Sequence, residues 1–268
     1  MNEVVQPVLA AVPGAAELLF EQPLNERMRT YLRLDFLYNQ ATHHNQSASS
    51  WGSRAAMGSL LDILAINTRA DTRADVLKEL ERQLTVLNEF SARVGVDNSR
   101  LRNIMSNLLR MRNDLLAVGT GYLQALRESE FLSAIRHRSA IPGGTCEFDL
   151  PDYFYWLNLQ DTDRAVAFGK WLETFRPLCD AISELLWLTR QSGKPRNELA
   201  RNGVYHITFE REAPAQLIRI SLPADSGLYP EISGSHYRCS IRFVTWNGLD
   251  QRATQTTQDV AFTLTCCT

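Results

Sequence analysis

Three arginines in the last quarter of the chain have the type and spacing that bind anions. Arg238 and Arg242 stand four residues apart in YRCSIRFV, where polar and apolar residues alternate, so both lie on one face of a strand, about 13 Å apart. Arg219 takes the polar side of the alternating run before it, LIRISLP. If the two strands pair, three guanidinium groups share one surface and can each grip a carboxylate through two hydrogen bonds. The alternative is a solvated face whose arginines extend over apolar neighbours.

Catalytic and metal-binding patterns are missing from the sequence. It contains no GxGxxG, GxxxxGK[ST], GxSxG or HExxH. His43 and His44 are adjacent, so on a helix their side chains diverge by about 100° and do not share a metal. A catalytic role for His206 or His236 needs a deep pocket that also holds a carboxylate. We therefore expect no catalytic residue, no metal site and no cofactor.

Composition narrows the function classes further. The 268 residues carry a net charge of -2, with 22% charged residues. The alternative function is a nucleic-acid-binding module that uses the same arginines. Nucleic-acid binding requires a strongly basic surface, which the net charge does not favour. In addition, no aromatic side chain shares the polar face of YRCSIRFV for base stacking. Five scattered cysteines without a CxxC pair indicate reduced thiols and a cytoplasmic protein. No apolar run approaches the ~20 residues of a membrane span.

Helical periodicity extends from about residue 25 to residue 192. One apolar stripe has spacings of three, four and three residues, and is formed by Leu77, Leu80, Leu84 and Leu87. The short polar connection VGVDNS leads to a second stripe that begins at Leu101, which predicts an antiparallel helical hairpin. Near the start of this region, Arg29 and Arg33 are one helical turn apart on the same side.

The pattern changes to period two after Gly193–Pro195. Four runs alternate: VYHITFE, LIRISLP, YRCSIRFV and VAFTLTC. Such alternation is typical of an antiparallel sheet with one packed face and one solvated face. Tyr237, Cys239, Ile241 and Phe243 form the expected core side of the third run. Of the neighbours Cys266 and Cys267, one is expected in the core and the other exposed.

The chain is therefore predicted to have an α+β fold, with a mostly α-helical domain followed by an antiparallel β-strand domain. We place the helical domain at residues 17–195 and the β-strand domain at residues 196–268. Residues 1–16 form an N-terminal extension that we expect to be poorly ordered. In AIPGGTCEFDLP, residues 140–151, a Pro-Gly-Gly turn precedes a short segment that can join the sheet as a strand.

Several separated strings, in this order, resemble the ZapD family of bacterial cell-division proteins. They are FEQPLNERMRTYLRLDFL, IRHRSAIPGGTCEFDLP, LYPEISG, YRCSIRF and the Cys-Cys pair near the C-terminus. The resemblance covers about Glu17 to Cys267. It implies a non-enzymatic homodimer that binds the C-terminal region of FtsZ through a positively charged surface. It also implies that the dimer cross-links FtsZ filaments into bundles. We expect the protein in the cytoplasm, recruited to the mid-cell division site, with no nucleic-acid or membrane partner.

The resemblance also assigns residues to that surface. The family's basic pocket corresponds to Arg238, Arg242 and Arg69, and its N-terminal helix arginine corresponds to Arg33. The chain departs from the family pattern at Glu130 and Phe154, where relatives have basic character. The complete set of expected FtsZ contacts is Arg238, Arg242, Arg69, Arg33, Arg219 and Arg29.

Overall fold

The computed structural model describes residues 16–69, 71–91, 98–210, 214–235 and 237–268. The expectations for the N-terminal extension up to residue 15, for the connection at 92–97 and for His236 lie outside this range. By its internal contacts the chain forms two compact units. The helical unit comprises residues 30–185, and the β unit combines residues 16–29 with residues 186–268.

Helices make up most of the first two thirds of the described chain. Their bounds are α1 (Glu26–Asn45), α2 (Ser50–Arg69), α3 (Thr72–Ser91), α4 (Asn98–Ala117), α5 (Gln124–Glu128), α6 (Glu130–Ser139), α7 (Pro151–Leu157), α8 (Asp161–Glu173) and α9 (Arg176–Ser192). The strands are β1 (Glu17–Pro23), β2 (Arg196–Ala200), β3 (Val204–Thr208), β4 (Leu217–Pro223), β5 (Leu228–Gly234), β6 (Arg238–Thr245), β7 (Thr254–Gln255) and β8 (Val260–Cys267). The predicted α+β class, helices first and antiparallel strands after, is confirmed.

The helical unit is held by apolar packing between its helices. Helices α3 and α4 pack against each other, with Val76, Leu80, Leu108 and Leu115 fully buried. Of the predicted leucine stripe on α3 only Leu80 is fully buried, and the other three leucines are half-buried. The buried stripe of α3 therefore runs through Val76 and Leu80, one residue away from the predicted Leu77.

The β unit contains two antiparallel sheets with a shared apolar core. Sheet A has the strand order β1-β4-β8-β2, and sheet B has the order β3-β6-β5, with β7 also paired to β6. Alternate residues of the two sheets form one buried cluster that includes Ile220, Ile241, Phe243 and Phe262. The rings of Phe243 and Phe262 are 4.9 Å apart. The predicted period of two is thus realised as a two-layer packing in which the opposite residues of each strand face outward.

Two segments differ from the sequence-based expectation. Residues 140–150 form no strand; their backbone makes turns, with hydrogen bonds such as Gly144 N to Ile141 O at 2.9 Å and Leu150 N to Cys146 O at 3.0 Å. A strand was not expected at Glu17–Pro23, yet β1 pairs with β4 along its whole length. Both differences have one reason: the partner of a strand cannot be read from local periodicity.

The condition that LIRISLP pairs with YRCSIRFV is not met. Strand β4 pairs with β1 and β8 in sheet A, whereas β6 pairs with β3, β5 and β7 in sheet B. Arg219 therefore lies in a different sheet from Arg238 and Arg242. The three guanidinium groups do not share a sheet surface.

Candidate functional site

The solvent-facing side of sheet B carries a row of polar side chains. The register places His206 opposite Ser240 and Thr208 opposite Arg238, and on the other side of β6 it places Ser233 opposite Ser240 and Glu231 opposite Arg242. Residues directly opposite in a sheet point to the same side. We call this surface the β6 face; it consists of His206, Thr208, Glu231, Ser233, Arg238, Ser240 and Arg242.

The inner side of β6 explains why these residues face outward. Cys239, Ile241 and Phe243 are at most 3% exposed and lie in the core, so alternation turns Arg238, Ser240 and Arg242 to the solvent. Tyr237 was expected on the core side but is 53% exposed. It precedes the first residue of β6, where strand alternation no longer applies.

Arg238 is the exposed cation at one end of the β6 face. No carboxylate of the described residues forms an ion pair with its guanidinium. Beside it is a shallow cavity of about 530 Å³, lined also by His206, Thr208, Ser233 and Ser240. The cavity offers hydroxyl and imidazole groups next to a cation, which suits an anionic or polar peptide group.

Arg242, at the other end of the face, has an internal partner. Its Nε and Nη2 atoms both donate to Glu231 Oε2, with the Nε bond at 3.1 Å. The side chains of Arg242 and Glu231 are 53% and 45% exposed. An ion pair this exposed contributes about 0 to 1 kcal/mol, so an incoming carboxylate can replace Glu231 at little cost.

Arg219 forms an ion pair with Glu21 on the outer side of sheet A. Its Nε donates to Glu21 Oε1 at 3.0 Å, and the same carboxylate accepts two hydrogen bonds from Arg190 of α9. Burial alone would raise the pKa of Glu21, but the hydrogen bonds and positive charges of Arg190 and Arg219 outweigh burial and hold that pKa below its ordinary value. Because β4 and β6 lie in different sheets, the strand pairing that would bring Arg219 beside Arg238 and Arg242 is absent.

The remaining predicted arginines belong to helices α1 and α2. Arg29 donates to Glu26 at 3.2 Å within the first turns of α1. Arg33 is exposed and forms no ion pair with a described residue. Arg69 is the exposed last residue of α2 and lines a cavity in the helical unit. Arg33 and Arg69 lie in the helical unit, and Arg29, Arg219, Arg238 and Arg242 lie in the β unit.

Sequence reasoning missed the acidic member of the β6 face. Glu231 stands in LYPEISG, whose alternation was not read as a strand, although Leu228, Pro230 and Ile232 alternate with Tyr229 and Glu231. A strand prediction there, antiparallel to YRCSIRFV, could have suggested an acid beside one of the arginines. Alternation in VYHITFE was recognised, but it did not reveal that His206 and Thr208 are neighbours of Arg238.

Other site types find little support in the described residues. No group of three or more His, Cys, Asp or Glu side chains within them is arranged to hold a metal ion. All five cysteines are free thiols, with Cys267 buried and Cys266 half-buried, close to the expected division. Within the same residues, every helix is too short or too polar to cross a bilayer.

Comparison with known proteins links the chain to one family. The family model described as "ZapD: Cell division protein" matches residues 32–242. A cell division protein ZapD of Methylococcus capsulatus is 34% identical over 252 residues, covering 94% of this chain and 98% of the relative. Those of Dechloromonas aromatica and Cronobacter sakazakii are 36% and 38% identical; they cover 93% of this chain, and 99% and 98% of the respective relative.

Proposed function

Because the chain belongs to the ZapD family of cell division proteins, we propose that it binds the C-terminal region of FtsZ through the β6 face. We further propose that it acts as a homodimer that cross-links and bundles FtsZ filaments, without catalysis, at the division site in the cytoplasm. The family supplies the role in cell division, and the FtsZ partner follows from the family resemblance. The exposed arginines of the β6 face support the choice of this surface.

Arg238 carries the assignment to the β6 face. It is exposed, it has no described carboxylate partner, and it borders the cavity lined by His206, Ser233 and Ser240. The strand fixes the side of the sheet from which Arg238 projects, and the planar fork of its guanidinium loses less entropy per hydrogen bond formed than a lysine ammonium does. An extended, partly acidic tail can place one carboxylate at Arg238.

Arg242 adds a second contact about 13 Å along the strand. In the free protein it is occupied by Glu231, so binding at this position exchanges one exposed carboxylate for another. The gain from such an exchange is small, because both pairs are solvent-screened. Arg238 is therefore expected to contribute more than Arg242.

A single tail bound in this way is held weakly. Hydrogen bonds to charged groups contribute about 1.5 to 3 kcal/mol each at best, and less where water has access. A two-fold dimer presents two such sites to a polymer that carries many tails, and linked binding raises the overall affinity by a factor of about 10² or more. Bundling then follows from valency alone.

The other predicted arginines are given different roles. Arg33 and Arg69 stay predicted contacts of FtsZ, since both are exposed. Arg219 holds Glu21 between β4 and α9, and Arg29 is paired with Glu26. We propose a structural role for Arg219 and a secondary role for Arg29.

The test is charge reversal at Arg238. Arg238→Glu is expected to lower the FtsZ filament mass that sediments at low speed and the light scattered by bundles, while helix content and unfolding temperature stay as in the unchanged protein. Arg252→Glu, at an exposed arginine between β6 and β7, is the matched control and should leave bundling intact. FtsZ without its C-terminal tail should not be bundled. Full bundling by Arg238→Glu would refute the assignment to the β6 face.

A further inference from the structure

The helical unit contains a second site lined by arginines. It is distinct from the β6 face, which belongs to the β unit. A cavity of about 320 Å³ lies where α2 ends and α3 begins, and it also reaches the segment before α5 and α5 itself. Six of its lining residues carry polar groups that matter for binding: Arg69, Asp71, Thr72, Arg73, Tyr122 and Arg127.

Two of the three arginines are held in place by the ends of helices. Arg73 donates from Nε to the carbonyl oxygen of Leu115 at 3.0 Å, near the end of α4. Arg127 donates from Nη2 to the carbonyl oxygen of Asn67 at 3.0 Å, near the end of α2. These bonds use only part of each guanidinium, which has five N–H donors. Arg73 also donates from Nη2 to the carbonyl oxygen of Leu116 at 3.4 Å, and the other N–H groups of the two side chains, both of which line the cavity, are available to a ligand.

The charge balance of the lining is positive. Three arginines face a single carboxylate, that of Asp71. This carboxylate has a role of its own, since Asp71 Oδ1 accepts from the backbone N–H of Ala74 at 3.1 Å and so caps α3. Arg69 is exposed and forms no ion pair with a described residue. The site thus keeps unneutralised positive charge.

Two hydroxyl groups add neutral donors. The side chain of Thr72 is 3% exposed, and its Oγ1 has no hydrogen-bond partner among the described residues. A buried hydroxyl without a partner is costly, so a ligand that accepts its hydrogen bond recovers that cost. Burial raises the pKa of Tyr122 well above its ordinary value, although Arg127 and Arg73 are near enough to lower it. The phenol therefore stays protonated and can donate.

We propose that this cavity binds a phosphoryl group, either as free phosphate or as part of a nucleotide. Donors come from the junction of α2 and α3, from the segment before α5 and from α5 itself, so they are not confined to the fork of one guanidinium. A tetrahedral anion with three or four acceptor oxygens uses such an arrangement fully, whereas a planar carboxylate uses two donors of one fork. The volume admits a phosphoryl group with room for its attachment.

Phosphate binding at this cavity does not require the β6 face. Arg69 is also a predicted FtsZ contact, so the test measures phosphate binding in the absence of FtsZ. The full-length protein is titrated at constant ionic strength with sodium phosphate, a nucleoside triphosphate or sodium acetate, and binding is followed by calorimetry and by the unfolding temperature. A negative result in this test would not bear on the proposal that the protein bundles FtsZ. A negative result in the bundling assay would likewise not bear on phosphate binding.

Phosphate or the nucleotide is expected to bind, and acetate to bind at least tenfold more weakly. Arg69→Gln should weaken phosphate binding by about tenfold, as expected for one charged hydrogen bond, and Arg102→Gln on α4 is the control. Thr72→Val removes only the unpartnered hydroxyl, so it should fold normally and bind phosphate more weakly. If the nucleoside triphosphate binds more tightly than phosphate, the natural ligand is a nucleotide. If the nucleotide binds equally or more weakly than phosphate, the ligand is the free anion. No binding of either ligand, equal binding of acetate, or unchanged binding in both Arg69→Gln and Thr72→Val would overturn the proposal.

Discussion

Glu21 and Arg190 form a two-pronged ion pair in which Arg190 Nε reaches Glu21 Oε1 at 2.9 Å and Arg190 Nη2 reaches Glu21 Oε2 at 2.8 Å. Glu21 lies on β1 and Arg190 on α9, and Arg219 of β4 binds the same carboxylate. All three side chains are at least 70% buried. This cluster ties the first strand and a helix to the centre of sheet A.

Glu21→Gln is expected to lower the free energy of unfolding at pH 7 by about 2 kcal/mol, because two partly buried guanidinium groups lose their counter-charge. Urea denaturation measures the effect. Glu26→Gln is the matched control, since its pair with Arg29 is solvent-exposed and should change stability by less than about 0.5 kcal/mol. Equal effects of the two substitutions would contradict a stabilising role for the cluster.

The same carboxylate predicts a pH dependence. The pKa of Glu21 is lower in the folded protein than its ordinary value of 4.5, so its contribution is fully present above pH 4.5 and is lost as the pH falls through the folded-state pKa. The difference in unfolding free energy between the unchanged protein and Glu21→Gln should therefore shrink in acid. A difference that stays constant from pH 7 to pH 3 would argue against this origin.

Glu231→Gln is predicted to strengthen FtsZ binding. The substitution frees Arg242 and removes the acid of the β6 face, and a screened ion pair of this kind changes affinity by about two- to fivefold. Fluorescence anisotropy with a labelled FtsZ tail peptide measures it. Glu198→Gln on β2, which removes the partner of Arg196 in sheet A, is the control and should have no effect. Weaker binding by Glu231→Gln would mean that Glu231 itself contacts the tail.

Binding of the tail should also decrease with ionic strength. Exposed charges are screened over about 10 Å at 0.1 M salt and over about 3 Å at 1 M, so the dissociation constant is expected to rise steadily between these concentrations. The slope should be smaller for Arg238→Gln, which makes one charged contact fewer. Affinity that does not respond to salt would indicate an apolar groove in place of the arginines.

Gly203→Ala is expected to destabilise the β unit by about 2 kcal/mol or more, because two effects combine. Gly203 has φ of +72°, and a Cβ placed on it would collide with the carbonyl oxygen of Thr256 and lie 2.8 Å from Thr256 Cγ2. Gly227 also has a positive φ, +65°, but a Cβ there meets no atom within 4 Å. Gly227→Ala should thus cost only the backbone strain, and thermal unfolding of both variants separates the two effects.

Periodicity predicted much of the β unit but not its pairing. The runs that contain β3, β4, β6 and β8 were all recognised, because each alternates over at least five residues. Strand β2 was missed since RNELA is short and mostly polar, and β1 was missed since its partner β4 lies about 200 residues away along the chain. Pairing over such a distance is decided by tertiary packing, which leaves no local pattern.

The site was predicted in the same uneven way. Alternation in YRCSIRFV placed Arg238 and Arg242 on an outer face, and the structure agrees. It could not show that Arg219 belongs to another sheet, or that Glu231 stands opposite Arg242, because both facts depend on which strands are neighbours. Local sequence indicates which side a residue faces, and only the register indicates what it meets there.

Strand β4 is flanked by β1 on one side and by β8 on the other, so sheet A joins segments that leave the ribosome at widely separated times. While the helical unit emerges, β1 has no partner in sheet A, and the sheet is complete only after β8 has been made. A nascent chain arrested before Val260 should therefore be digested readily by protease within β1, β2 and β4, and a chain released after Thr268 should resist.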